Sequence, residues 1–195
     1  MVGVVLASSF ANQGEVYNAG TTSITIPSGA TYVQAYLQAA GGSSFGRVTP
    51  VDGSAGGGGG FAAIGRAVLA GEWGTTLTVA IGAGSAGNNG GNTTLSGTLN
   101  GGAVSVTANG GVKGTSLADG AGGTATGGDS NVAGTAGSGY VAGPPGDEAP
   151  GVPGKAGGLD QPGAISGSVY GPGDGGIASS VNEPGADGYL RIVWS

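Results

Sequence analysis

The sequence predicts an all-β protein: an antiparallel β-sandwich with a long glycine-rich insertion packed as a polyglycine-II bundle. Short stretches that alternate polar and apolar residues recur through the first half of the chain, and no stretch sustains a helical period. Such alternation is typical of strands with one face buried. Glycine accounts for 49 of the 195 residues, and it dominates the second half, where large apolar side chains are scarce.

The first strands are predicted after a weakly patterned lead, residues 1–19, which is either a strand or a docking segment for another protein. Residues 21–27 alternate and stop at Pro27, so they predict a half-buried strand. Residues 32–40, rich in aromatic and aliphatic side chains, predict a second strand. Because only a short turn separates the two, we expect them to pair with each other.

Further strands are predicted at 61–70 and 76–81, after a first glycine-rich segment at 41–60. Residues 93–99 and 103–108 flank Asn100-Gly101, and Asn-Gly is a strong signal for a tight β-hairpin. The last strand is predicted at 188–194. It must return to the same sheet, since its large apolar side chains have no other surface to pack against.

The glycine-rich stretch 109–185 has too little apolar area for an ordinary core, and ordering glycine costs much backbone entropy. It is therefore either a disordered linker or a bundle of backbones in the polyproline-II conformation. That conformation has three residues per turn and leaves its N–H and C=O groups free to bond between strands. Local glycine spacings of three favour the bundle. The predicted domains are a lead (1–19), a sandwich (20–108 plus 186–195) and a polyglycine-II module (109–185).

Composition excludes several functional classes. The net charge is −6 and the five basic residues are scattered, which argues against nucleic-acid binding. The chain has no histidine and no cysteine, so the commonest general base and the commonest metal ligands are missing. We expect no enzyme activity, no cofactor and no metal. The N-terminal apolar run is short and lacks basic residues, which predicts neither a signal peptide nor a membrane span.

Two motifs are rejected. Residues 82–87 match the dinucleotide fingerprint G-x-G-x-x-G, but the residues that follow cannot begin a helix. Asp129 is one of several acidic residues in glycine turns, which lack the regular spacing of calcium-binding repeats and are predicted to be solvated carboxylates.

The aromatic residues divide into two groups. Those on predicted strands are expected in the core: Tyr32, Tyr36, Phe61, Tyr189 and Trp194. Tyr140 and Tyr170 lie within the glycine-rich stretch, where a polyglycine bundle has little room for a ring. We therefore expect these two at loop tips, where an exposed aromatic among glycine and serine forms an adaptable contact surface, or else covering the end of the bundle.

The order of these parts resembles the glycine-rich domain of bacteriophage tail-fibre and minor tail proteins. The matching stretches are 23–33, the glycine run 56–60 leading into Phe61, 77–84, and 185–194. The resemblance implies a sandwich with a polyglycine-II module displayed on a virion, assembled in the host cytoplasm and acting outside the cell. It also implies other virion tail proteins as partners, with a homotrimer as one expected assembly, and no membrane insertion.

In similar tail-fibre adhesins, loops at the tip of the bundle bind the host surface. The resemblance therefore implies an adhesin for a bacterial surface receptor, either protein or polysaccharide. The candidate receptor-binding residues are Tyr140, Asp147, Glu148, Asp160, Tyr170, Asn182 and Glu183. The alternative is a purely structural virion subunit, a capsid or tail decoration that binds no receptor. An ice-binding or matrix protein is a third hypothesis, against which the irregular triplets and acidic turns argue.

Overall fold

The computed structural model describes residues 14–18, 20–45, 54–137 and 182–195. Within these ranges the chain is almost entirely β, apart from one 3-10 turn at Ala70–Glu72. The strands are β1 (Gly14–Tyr17), β2 (Ser23–Thr25), β3 (Tyr32–Gln38), β4 (Phe61–Ala67), β5 (Thr76–Ala80), β6 (Thr93–Leu99), β7 (Gly102–Ala108), β8 (Ala125–Thr126), β9 (Ser130–Val132) and β10 (Tyr189–Trp194).

Two five-stranded antiparallel sheets form the predicted sandwich. The first has the order β1-β10-β3-β4-β9 and the second has the order β2-β5-β6-β7-β8. In β3, β5 and β10, alternate residues point between the sheets, as a period of two requires. One continuous core results, to which the first sheet contributes Val33, Leu37, Ile64, Leu190 and Ile192, and the second contributes Ile24, Leu77, Leu95 and Val106.

The final strand returns to the sheet, as predicted. β10 lies between β1 and β3, with Ile192 opposite Ala35. The expected pairing of the first two predicted strands was wrong. β2 pairs with β5 in the second sheet, and β3 lies in the first. The turn after Pro27 carries the chain across the sandwich, so that Ile24 and Val33 meet in the core from opposite sheets.

Two aromatic predictions were also wrong. Tyr32 is 41% exposed and Tyr36 is half-buried. Both alternate with the inward residues Val33 and Ala35, so the pleat of β3 directs their rings to the outer face of the first sheet. Phe61, Tyr189 and Trp194 are buried, as predicted.

The Asn-Gly hairpin is confirmed, and a distant carboxylate stabilises its turn. Asn100 and Gly101 have φ of 53° and 71°, the two positive values of a type I′ turn. The Oε1 of Glu72 accepts the Gly101 N–H at 2.8 Å, and its Oε2 accepts those of Asn100 at 3.1 Å and Leu69 at 2.9 Å. The backbone N–H of Gly101, with lesser help from Leu69 and Asn100, lowers the pKa of Glu72 against the opposing effect of burial.

Glycine-rich connections emerge from one end of the sandwich. They join β3 to β4, β5 to β6, β7 to β8, and β9 to β10. In the described chain, each connection leaves a strand as an extended segment and returns as another. We call these segments together the glycine bundle; they are 39–45, 54–60, 81–84, 88–92, 109–114, 119–124, 133–137 and 182–188.

Hydrogen bonds in the glycine bundle recur every three residues, as polyglycine-II packing requires. The segment 39–45 shows this for three neighbours in turn. The N–H groups of Ala39 and Gly42 donate to segment 54–60, those of Ala40 and Ser43 to segment 88–92, and those of Gly41 and Ser44 to segment 182–188. A backbone with three residues per turn thus bonds in three directions.

Backbones in the bundle are too close together for side chains at the inward positions. A Cβ added to Gly42, Gly57 or Gly60 would lie well under 3.0 Å from a backbone oxygen of a neighbouring segment. The same holds at Gly90, Gly111 and Gly120. Backbone atoms cannot rotate away as a side chain can, so only glycine fits these positions.

Buried polar side chains complete the junction between the sheets and the bundle. There the two-residue hydrogen-bond repeat of a strand changes to the three-residue repeat of the bundle, which leaves backbone groups without a regular partner. Gln38, only 1% exposed, donates its Nε2 to the carbonyls of Gly59 and Gly60 at 3.1 and 3.0 Å. Thr93 donates its Oγ1 to the Gln38 carbonyl and accepts the Gly82 N–H.

The described part of the bundle draws on both sides of residue 109, where the boundary of the glycine module is predicted. Segments 39–45, 54–60 and 88–92 precede it, and they bond to segment 109–114. β8 and β9 follow it, and they belong to the two sheets. Residues 138–181 of the predicted module lie outside the described residues.

Replacing an inward glycine should destabilise the whole protein. In Gly57→Ala the new methyl would overlap the backbone of residue 121, so we expect a loss of about 2 kcal/mol or more, the usual cost of overpacking. For a chain of this size, that loss corresponds to a fall in Tm of roughly 4–8 °C. Thermal unfolding followed by circular dichroism measures it. Gly71→Ala is the matched control, because nothing lies within 4 Å of its Cβ position. Equal Tm values for the two variants would contradict backbone packing.

Removing the Glu72 charge should change how stability depends on pH. Because the pKa is lowered on folding, the carboxylate stabilises the protein above its unfolded pKa of about 4.3, and this stabilisation is lost as the pH falls through the folded pKa. Glu72→Gln should lose about 1–2 kcal/mol at pH 7, because an amide accepts these N–H bonds more weakly. Urea unfolding between pH 7 and pH 3 measures the effect. The difference between wild type and variant should shrink in acid, and a constant difference would show that the charge is not responsible.

Candidate functional site

In the part of the chain that the structure describes, one end of the glycine bundle lies away from the sandwich. Along the pair formed by 39–45 and 54–60, the contacts run from the Ala39–Gly60 bond beside the strands to the Phe45–Ser54 bridge at the far end. Residues of three other segments lie near this far end, where Ser43 bonds to Asn88, Ser44 to Glu183 and Ser54 to Thr115. We define the bundle tip as residues 85–89, 113–118 and 182–183.

Lys113 joins two parts of the bundle tip. Its Nζ donates to the carbonyl of Gly87 at 3.1 Å, and its backbone N–H donates to Oδ1 of Asn89 at 3.0 Å. The turn at 85–89 is therefore held against segment 109–114 by a cation and an amide. These bonds give the tip a defined shape without an apolar core.

A tight turn at the bundle tip exposes an apolar side chain. The N–H of Thr115 donates to the Ala118 carbonyl at 2.8 Å, and Oγ1 of Thr115 accepts the Ala118 N–H at 3.1 Å. The turn so closed holds Leu117, which is 95% exposed. Single exposed apolar residues are common on protein surfaces, so Leu117 is a candidate contact residue only together with the ordered turn that holds it.

Two of the predicted receptor-binding residues lie at the bundle tip. Asn182 is exposed and Glu183 is half-buried. The Glu183 carbonyl accepts the Ser44 N–H at 2.9 Å, and its own N–H donates to Ser44 Oγ at 2.9 Å, so its backbone completes the bundle. The other predicted residues lie outside the described residues: Tyr140, Asp147, Glu148, Asp160 and Tyr170.

Sequence reasoning missed Lys113 and Leu117 at the tip. The signal was present, because each is a long side chain isolated within a run of small residues from 109 to 124. Long side chains do not fit at the inward positions of a glycine bundle, so such side chains mark its edges and turns.

A concave surface lies on the outer face of the first sheet. It is a depression of about 270 Å³ lined by Tyr32, Gln34, Tyr36, Ala63, Ile64, Gly65, Asp129 and Ser130. We call it the tyrosine depression. Its floor is low because β4 carries small side chains there, and its walls come from β3 and from the turn before β9.

Asp129 is exposed, as expected for a carboxylate in this turn, with 53% of its side chain accessible to solvent, and it is also hydrogen-bonded. Its Oδ2 accepts the Gly65 N–H at 2.8 Å. This bond extends the pairing of β4 with β9 by one step, on the side of Asp129 that precedes β9. Arg66 lies 2.8 Å from the same carboxylate. The hydrogen bond from Arg66, with that from the Gly65 N–H, lowers the pKa of Asp129.

The described residues contain no group of three or more side chains of the types that bind metal ions. In those same ranges, no helix is long and apolar enough to cross a membrane.

The family model of a glycine-rich domain matches residues 16–194, which is nearly the whole chain and includes every strand from β2 to β10. The chain belongs to this glycine-rich domain family. The matched residues take in both sheets and every segment of the glycine bundle, so the family unit is the sandwich and the bundle together. No curated protein matches the domain.

Proposed function

We propose that this glycine-rich domain is a bacteriophage virion protein of the tail fibre or tail tip, and that its bundle tip binds a receptor on the host cell surface. The observation that supports the proposal most is the tip itself. In the described residues, this end of the bundle carries Leu117 on a tight turn, with Lys113 and Asn182 at the same end, and a side chain that is 95% exposed adds little to the stability of the fold.

The resemblance of the strand order to phage tail-fibre glycine-rich domains supports the same proposal. The separation between the residues that form the bundle and the residues at its tip also supports it. The bundle is determined by glycine at its inward positions, so the turns at its tip are free to vary without disturbing the frame. A surface of this kind suits recognition of receptors that differ between hosts.

A purely structural virion subunit is the second candidate, and a different surface favours it. At the opposite end of the sandwich, Leu69 is 47% exposed and Trp73 is 39% exposed, with the Trp73 Nε1 bonded to the Ala30 carbonyl. An aromatic held by one hydrogen bond beside an exposed leucine is a suitable contact for another virion protein. This surface would serve either as attachment for an adhesin or as the whole function of a decoration protein.

The test measures binding of purified, fluorescently labelled protein to cells of the hosts that the phage infects, with competition against phage adsorption. We expect saturable binding that blocks adsorption. Leu117→Ser should weaken it roughly five- to tenfold, about 1 kcal/mol, as for a modest interface anchor. Its Tm should not change, because the side chain is exposed.

Leu69→Ser is the matched control, since it removes the same side chain at the other end of the molecule. Tyr140→Ala and Tyr170→Ala extend the test to the tyrosines predicted from sequence, and both should weaken adsorption without unfolding the protein. If folded protein binds no host cell, the receptor-binding proposal fails and the structural candidate replaces it. If Leu69→Ser weakens cell binding and Leu117→Ser does not, the tip is not the contact surface.

A further inference from the structure

The tyrosine depression combines aromatic faces with hydrogen-bonding groups on an open surface. From this combination we infer that it is a binding site for a neutral pyranose ring, either a free sugar or one unit of a polysaccharide. A pyranose has apolar C–H faces and a rim of hydroxyl groups, so it requires a ring to lie against and polar atoms around its edge. The inference does not depend on the role proposed for the bundle tip.

Gly65 is the strongest indication that the depression is a built site. Glycine in the middle of a strand is unfavourable, and it marks places where something approaches the backbone closely. Here that is the Tyr32 ring: a Cβ on Gly65 would overlap the Tyr32 hydroxyl and lie 3.1 Å from Cζ. Tyr32 therefore lies across β4 only because residue 65 has no side chain.

Tyr36 is held in position from two sides. Its ring stacks on Phe61, with centroids 6.5 Å apart and planes 27° from parallel. Its hydroxyl donates to Oε1 of Gln34 at 3.3 Å, which orients the Gln34 amide at the same surface. An aromatic ring already held in place loses little entropy when a ligand covers it.

The residues that line the depression favour a neutral ligand, and Arg191, on the neighbouring strand β10, is not one of them. Asp129 and Arg66 neutralise each other, with Nη1 of Arg66 2.8 Å from both carboxylate oxygens. Arg66 also donates to the Gly65 carbonyl, so its charge is engaged at the edge of the sheet. The lining residues include no lysine or arginine for an anionic sugar. Asp129 and Gln34 can still accept bonds from hydroxyl groups, because a carboxylate has about four acceptor sites.

The form of the depression suits one ring of a larger molecule. Its volume of about 270 Å³ is small for a cofactor site, and Tyr32 keeps 41% of its surface exposed. A ligand lying there would remain in contact with water on one side. This fits a sugar within a chain, which continues past the site at both ends.

The test is an NMR titration of the whole protein with ring-labelled tyrosine. The probes are the methyl glycosides of glucose, galactose, mannose and N-acetylglucosamine, with methyl glucuronide as the anionic comparison. We expect saturable shifts of the Tyr32 and Tyr36 ring signals with at least one neutral glycoside. The dissociation constant should be on the order of 1 mM, as for a ligand of about a dozen heavy atoms.

Three variants separate the site from the fold. Tyr32→Ala should weaken binding at least fivefold. Gly65→Ala should weaken it similarly while leaving Tm unchanged or raised, because the three atoms nearest to its methyl all belong to the movable Tyr32 side chain. Val132→Ala is the matched control, since Val132 is exposed in the same sheet but does not line the depression; its binding should equal that of the wild type.

The inference is overturned if no neutral glycoside shifts the two tyrosines, or if only the glucuronide does. It is also overturned if Gly65→Ala and Tyr32→Ala bind as tightly as the wild type. The cell-binding experiment has independent outcomes, because Leu117 is not among the residues that line the depression.

Discussion

The structure depends on direct contact between backbones at positions where no side chain is present. In an ordinary domain, apolar side chains fill the space between elements and supply most of the stability. In the glycine bundle there is no such space, because the backbones of neighbouring segments are in direct contact. Segments lie so close that peptide groups bond in three directions from a single segment, as the three neighbours of 39–45 illustrate. The entropy lost by ordering glycine is offset by a dense set of buried hydrogen bonds, none of which could form if a methyl group intervened.

The sandwich positions the bundle segments and supplies the apolar burial that stabilises the domain. Every bundle segment continues directly into a strand or turns back to one, so the sheets determine where each segment begins and in which direction it runs. Gln38 and Thr93 satisfy the backbone groups where the two repeats meet. The core between the sheets supplies the apolar burial that the bundle lacks, and the bundle in turn covers one end of that core.

Local sequence patterns predicted the positions of the strands well, but they predicted poorly which strands pair with each other. β6 spans the residues expected for it, and Asn100-Gly101 forms the expected turn, because both follow from residues adjacent in the chain. The partner of β2 and the exposure of Tyr32 depend on which sheet each strand joins, which the alternation of polar and apolar residues does not specify. The Glu72 contact with a turn 28 residues away leaves no local signal at all. At the site, Asn182 and Glu183 were located by resemblance, whereas the tyrosine depression arises only when β3, β4 and the turn before β9 come together.

The pairing of distant residues in the bundle has a consequence for the order of folding. Gly41 bonds to Ala186, and Ser44 bonds to Glu183, across more than a hundred intervening residues. Closing loops of that length costs entropy before any contact compensates for it, so folding should be slow and cooperative. During synthesis, segment 39–45 could not meet its third neighbour until residues 182–188 had left the ribosome. Assembly of the domain is therefore complete only after that segment and β10 have been made.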